Sequence, residues 1–271
     1  MTPCCGRAEL SLAQSLIGRF ADRLQEAERT RVAISPLRTE IEDGDIAAAY
    51  AVQNELTNRR LAAGGRLVGR KIGLTSKAVQ AQLGVDQPDY GALFADMEVL
   101  SGEVCDTSRL IRPRIEAEVA IVLDRDLDAE CPGTAELLRA IAFAVPALEI
   151  VDSRIANWDI GILDTVADNG SSARFVLGLE PRRLDALDLL TSGMVLYRDG
   201  APVSVGSGAA CLGHPINAAL WLARTMAAAG TPLRAGDVVL TGALGPMCDV
   251  RAGEKYDARI GGFGPVAVEF V

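Results

Sequence analysis

The stretch IEAEVAIVL (115–123) decides how the chain is read. It begins as an alternating strand and ends as an unbroken apolar run. Residues two apart on a strand share a face, roughly 6.6 Å apart along the chain. Glu116 and Glu118 therefore point the same way, with Ala120 and Val122 continuing that face. Ile115, Ala117, Val119 and Ile121 lie opposite. Past Glu118 both faces are apolar, the pattern of a strand covered on both sides. The two carboxylates thus stand where a buried face opens. At about 4 Å and an effective dielectric near 20, two like charges repel by about 4 kcal/mol. Either one carboxyl keeps its proton or a cation sits between them. Solvated glutamates on a half-exposed strand are the plainer alternative.

Glu149 supplies a third carboxylate, in PALEIVDSR (146–154) directly after the apolar run IAFAV. Three carboxylates in apolar strand settings form the all-oxygen donor set that Mg²⁺ or Mn²⁺ prefers. LVGRKIGL (67–74) is an expected strand with Leu67, Gly69, Lys71 and Gly73 on one face. The flanking glycines leave space beside Lys71 for a ligand approaching the backbone. A solvent-facing lysine on an edge strand fits the same pattern. GVDQPDYGALFADM (84–97) reads as a turn-rich loop, with Asp89 placed by Pro88. DTVADNGSS (164–172) suits a turn or a polar lip over a ligand, and TGALGP (241–246) a tight turn after the strand DVVL. His214, the only histidine, opens the helix CLGHPINAALWLARTMAAAG (211–230), with Pro215 near its first turn and Gly230 past its end. One histidine cannot build a multi-histidine metal site, so a structural role is expected for it.

Upstream, residues 7–31 are expected to be helical, with Leu10, Leu12, Leu16, Ile17, Phe20 and Leu24 as an apolar stripe. Pro36 and Gly44 break the pattern. A second helix is expected over 46–62, with Asp45 as N-cap and Ile46, Ala49, Val52 and Leu56 at helical spacing. Residues 1–65 thus read as a helical N-terminal region packed on a β-rich unit of 66–271. The element order is that of an α+β protein without regular β-α-β alternation.

The chain has 271 residues, 49% of them hydrophobic but only 4% aromatic, so the core must be largely aliphatic. A net charge of −9 and the lack of a basic cluster argue against nucleic acid as partner. Six cysteines lack C-x-x-C spacing, and MTPCCGRAEL lacks the apolar run of a signal peptide. Reduced thiols and a cytoplasmic location are expected, with the adjacent Cys4 and Cys5 an incidental feature of the terminus. No apolar segment approaches the ~20 residues that span a bilayer. Dinucleotide, P-loop and Gly-x-Ser-x-Gly motifs are not found.

The segments VGRKIGLTSKAV, QLGVDQPDYGALFADM, RPRIEAEVAIVL, PALEIVDSRI, DTVADNGSS, CLGHPINAALWLAR and LRAGDVVLTGALGPM, in this order, resemble the hydratase/decarboxylase branch of the fumarylacetoacetase superfamily. RPRIEAEVA and LTGALGPM look more like its hydratases. Gly170 departs from the alanine usual there. The resemblance implies a fumarylacetoacetase C-terminal-like fold with strands wrapped around the site. It implies a divalent cation, Mg²⁺ or Mn²⁺, on Glu116, Glu118 and Glu149. Lys71 and Asp89 match the family's acid/base pair, and Ser171 and Thr241 match positions at the substrate end. Beside a dication, Lys71 is expected to have a lowered pKa. The implied reaction is ketonisation of 2-hydroxypenta-2,4-dienoate and addition of water to give 4-hydroxy-2-oxopentanoate, in aromatic meta-cleavage degradation. Decarboxylation of an oxalocrotonate through the same chelate is the nearest alternative. A non-catalytic scaffold partner is the alternative from another class, and it predicts loss of the acids or the lysine. Homo-oligomers are expected, as is association with a pathway decarboxylase or aldolase.

Overall fold

β4 (Arg114–Leu123) runs through the middle of a seven-stranded sheet. The structure is a computed structural model, and it describes residues 5–41, 45–77, 80–81, 85 and 87–271, with side chains from residue 14 onward. β4 pairs antiparallel with β5 (Ile141–Val151) on one side and β9 (Val238–Ala243) on the other. Beyond β9 lie β1 (Leu67–Gly73) and β2 (Asp89–Phe94), beyond β5 lies β6 (Ser172–Leu177), and the short β10 (Cys248–Asp249) adds to the start of β4. β1 and β9 run parallel. The two faces expected of 115–123 separate cleanly. Ile115, Ala117, Val119 and Ile121 enter the main core, whereas Ala120 packs with Val145, Phe175 and Leu240 in a smaller cluster.

A second, five-stranded sheet covers the main core in the order β3 (Val104–Cys105), β12 (Val266–Phe270), β11 (Lys255–Ile260), β7 (Gly193–Arg198), β8 (Ala201–Ser207). Tyr256 and Phe270, ring edge to ring face at 5.7 Å, are its large buried contributions. The rest is aliphatic, as the composition requires. The helix Pro215–Ala228 adds Ala219, Leu222 and Met226 to the same core.

The N-terminal helices, α1 (Cys5–Thr30) and α2 (Ile46–Ala62), pack with the short helix Ile162–Ala167 around Phe20, Leu24, Val52, Leu163 and Val166. Asp45 caps α2 as its sequence suggests, accepting the Ala48 N–H at 2.9 Å. Leu16, expected in the apolar stripe, is 36% exposed. Leu10 and Leu12 lie outside the described side chains, as do Cys4, Cys5 and Gly44. Cys105, Cys131, Cys211 and Cys248 are free thiols, and no helix among the described residues is long and apolar enough to cross a membrane.

Four segments depart from the sequence expectation. Residues 89–94 are a fully buried strand and not a loop, pairing with β1 from Gly73↔Asp89 to Leu67↔Phe94. Gly91 hid this: it reads as turn chemistry, but a Cβ there would lie 2.2 Å from the Asn169 carbonyl, so the glycine serves a close approach. Residues 162–167 are helix, and only 169–171 form the turn. Thr241, Gly242 and Ala243 continue β9 and do not turn. The helix expected over 211–230 begins only at Pro215; His214 is its N-cap, its Nδ1 accepting the Ile216 N–H at 3.0 Å.

Candidate active site

The antiparallel register sets Glu116 directly opposite Glu149, and Glu118 between Ala147 of β5 and Ala243 of β9. Carboxylate oxygens of all three lie within 4.8 Å of one another. Glu118 and Glu149 are fully buried, and Glu116 is 8% exposed. Glu118 Oε2 accepts the Gly242 N–H at 2.7 Å, but Glu118 Oε1 and Glu149 Oε1 have no hydrogen-bond partner, and Glu149 Oε2 faces only the Lys71 ammonium at 3.2 Å. Burial, then repulsion from Glu149, pushes Glu116 up to about 8. Glu118 rises well above the usual carboxylate range through burial and through Glu149 and Glu116. Burial raises Glu149 as well, against the pull of Lys71. Buried oxygens without donors are rare in native proteins and point to a missing partner. With Glu116 beside them, three clustered buried carboxylates are the ligand chemistry of a hard divalent cation, and the residues present fit Mg²⁺ or Mn²⁺.

Lys71, 3% exposed, comes from β1. Its Nζ lies 3.2 Å from Glu149 Oε2 and donates to the Gly170 carbonyl at 2.9 Å. Burial alone would lower its pKa, but Glu149, Asp89, Glu116 and Glu118 outweigh it, and the lysine is raised. That is the balance of the cation-free site; the lowering expected from the sequence concerns Lys71 beside a bound dication.

Asp89 opens β2 opposite Gly73. Its Oδ2 accepts the Thr165 hydroxyl at 3.1 Å, and its buried Oδ1 has no partner. Burial raises this carboxyl, while Lys71 and Thr165 oppose the rise. A Cβ at Gly73 would lie 2.1 Å from Asp89 Oδ1 and 3.2 Å from Lys71 Nζ. Gly73→Ala is therefore expected to displace both groups and cut turnover by about 100-fold, since a shift of about 1 Å at reacting groups has that effect. Initial rates beside an unchanged far-ultraviolet spectrum check it; wild-type rates would show that the pair tolerates displacement.

The turn beneath Lys71 is left-handed at three consecutive residues, with φ of 56°, 60° and 55° at Asn169, Gly170 and Ser171. Glycine at 170 suits this geometry, and an added Cβ would stand 3.1 Å from Lys71 Cδ. Asn169 clamps the turn to β2, accepting from the Ala92 N–H at 2.7 Å and donating to its carbonyl at 3.0 Å. Asp168 holds the other side. It accepts from Arg154 Nε and from the Arg154 backbone N–H at 3.0 Å, and both side chains are buried. Asp168→Ala leaves that guanidinium unpaired, an expected loss of about 3–5 kcal/mol. Calorimetry should show a melting temperature lower by on the order of 10 °C; an unmoved transition would mean that Arg154 finds water or another partner.

The site opens into a cavity of about 350 Å³. Lys71, Asp89, Glu116, Gly170 and Ser171 line it, together with the apolar side chains of Ile160, Val205, Pro246 and Met247 and with Trp158. Lys71 is the only lysine or arginine among the described residues lining it. Ser171 lies on the wall, its hydroxyl 3.5 Å from Asp168 Oδ2. Thr241 is not on the wall: fully buried, it donates to the Val119 carbonyl at 2.8 Å. The sequence reading missed Thr165, Asn169 and the Arg154–Asp168 pair. Thr165, Asp168 and Asn169 stand in DTVADN and Arg154 in PALEIVDSR, but their partners in distant segments were not visible.

An α+β fold thus gathers three buried carboxylates and a lysine beside a small cavity, a donor set suited to a cation-dependent class of enzyme. Residues 75–271 match the family described as fumarylacetoacetate (FAA) hydrolase C-terminal, and the chain belongs to that family. It is similar to the "TodF product hydratase" of Pseudomonas putida F1, with 57% identity over 97% of this chain and 98% of the relative. It is 56% identical to the 2-keto-4-pentenoate hydratase of Burkholderia vietnamiensis G4, over 94% of this chain and 97% of that one. Among solved structures, 4-oxalocrotonate decarboxylase from Pseudomonas putida G7, complexed with magnesium and adipate, superposes with a TM-score of 0.90 at 36% identity, covering 95% of this chain and 98% of that one. With hydratases this similar over nearly their full length, the chain is an enzyme of the hydro-lyase class.

Proposed function

We propose that the chain hydrates 2-hydroxypenta-2,4-dienoate to 4-hydroxy-2-oxopentanoate in aromatic meta-cleavage degradation, with Mg²⁺ or Mn²⁺ on Glu116, Glu118 and Glu149. The observation that carries this reading is the cluster of three buried carboxylates, one of which, Glu116, lines a cavity whose wall is otherwise largely apolar. When bound, the cation supplies Lewis acidity toward an oxygen of the substrate and a counter-charge for its carboxylate.

The chain's own groups handle the protons. Ketonisation takes the enol proton from oxygen and delivers one to the terminal carbon. Hydration then places hydroxide on the fourth carbon and a proton on the third. Each step removes one proton from oxygen and gives one to carbon, so a two-group relay ends as it began. Lys71, whose ammonium donates to the Gly170 carbonyl and lines the cavity, is the proton-bearing member. Asp89 is the member that takes protons up, at the free Oδ1, while Thr165 holds Oδ2 in place. The apolar part of the lining receives the vinyl tail.

An oxalocrotonate would bring a second carboxylate into the same cavity, where no basic side chain besides Lys71 lines the described wall. This favours hydration over decarboxylation. The test is ultraviolet loss of the dienoate and carbon dioxide release from the oxalocrotonate, with and without a chelator. Chelator-sensitive loss of the dienoate is expected; carbon dioxide release without hydration would make the chain a decarboxylase. The same reading carries a homo-oligomer that associates with a pathway decarboxylase or aldolase, which size-exclusion chromatography of the purified components checks.

A further inference from the structure

Arg114, Glu116 and Glu118 are alternate residues of β4 and so share one face. Arg114 stands roughly 6.6 Å along the strand from Glu116, about the reach of a short 2-oxo acid anchored at the carboxylates. Its guanidinium nevertheless does not line the cavity. Arg114 Cζ lies 4.4 Å from the centroid of the Trp158 ring, and Nε donates to Asp249 Oδ1 at 2.9 Å. Trp158 does line the cavity. Its ring is fixed from a second side, because Nε1 donates to the Arg112 carbonyl at 2.9 Å. Asn157 and Trp158 are both left-handed, with φ of 60° and 56°, although neither is glycine. Such backbone persists where the surroundings over-determine it, and it gathers at ligand sites.

We propose that Trp158 is the specificity residue for the tail of the substrate: its ring covers Arg114 and turns a carboxylate-binding corner into an apolar wall. This rests on the functional reading above. A terminal carboxylate brought against the ring is stripped of water and finds no partner, which is penalised; an alkyl or vinyl tail is not. Arg114 is a positioning residue here, holding the ring by a cation–π contact while Asp249 holds the guanidinium.

The test uses the full chain loaded with Mg²⁺ and a matched pair of ligands, 2-oxohexanoate and 2-oxohexanedioate, which differ only in the terminal carboxylate. Calorimetric affinities give their ratio without relying on turnover. The wild type is expected to favour the monoacid by about tenfold or more, the scale of one misplaced group in a specificity pocket. Trp158→Ala uncovers Arg114 and shifts the ratio toward the diacid by about tenfold or more. Adding Arg114→Ala to that variant returns the preference to the monoacid. Trp158→Phe keeps a ring over Arg114 and keeps the wild-type ratio, which separates a specificity role from general damage. An unchanged ratio in Trp158→Ala, or a wild type that favours the diacid, overturns the assignment. A wild type that binds neither acid in the presence of Mg²⁺ overturns the functional reading, and the assignment with it.

Discussion

Lys71→Met should yield a folded protein that binds its cation at least as well as the wild type but turns over the dienoate slower by a factor on the order of 10²–10⁴. The two readouts move apart for a physical reason. Lys71 is the one cation set among four buried acids, 3.2 Å from Glu149. Removing its charge takes away the repulsion that an incoming dication would meet, so affinity holds or rises. Methionine fills much of the same volume without a proton to give. What is lost is the donor that sits on the Gly170 carbonyl and faces the cavity. A merely structural lysine would behave differently, with cation affinity and turnover falling together as the Asn169–Ser171 turn loosened. Steady-state rates at saturating Mg²⁺, beside calorimetric cation titration, distinguish the two. Turnover within tenfold of wild type would remove Lys71 from the chemistry.

Much of this site was legible in the sequence because strand periodicity is a local property. The alternation in IEAEVAIVL put two carboxylates on one face, and the apolar setting of Glu149 marked it as a third. That Glu116 and Glu149 face each other depends on the register of two strands separated by α3 (Thr134–Ala140), which no local pattern encodes. Asp89 was singled out, yet its strand was missed because Gly91 looks like a turn residue until the Asn169 carbonyl is placed against it. Thr241 shows the opposite error. Its segment, TGALG, has turn composition, but β9 carries it into the sheet, where its hydroxyl is spent on Val119. The Arg154–Asp168 pair and Trp158 were not singled out at all. Their roles arise from contacts between loops, and a lone tryptophan or aspartate carries no spacing signal.

Glu118→Gln should raise the stability of the cation-free protein while weakening the cation by on the order of 100-fold, since even indirect partners of metal ligands are worth 10–100-fold. The signs oppose because one charge serves both states. Without a cation, burial first and then crowding by Glu149 and Glu116 hold the Glu118 carboxyl well above the usual carboxylate range. Glutamine removes that repulsion and keeps an oxygen to accept the Gly242 N–H, now 2.7 Å from Oε2. A gain of about 1 kcal/mol corresponds to roughly 2–4 °C in melting temperature. The rise on adding Mg²⁺ should shrink in parallel, because stabilisation by a ligand follows the logarithm of its concentration over Kd. The pH dependence follows from the same charges. With Glu116 pushed up to about 8, a proton occupies the site at neutral pH and the cation must displace it. Wild-type affinity should therefore climb as pH rises toward about 8. A purely structural glutamate would behave otherwise: the cation-free Glu118→Gln variant would melt earlier, and its Mg²⁺ titration would stay where the wild type's lies.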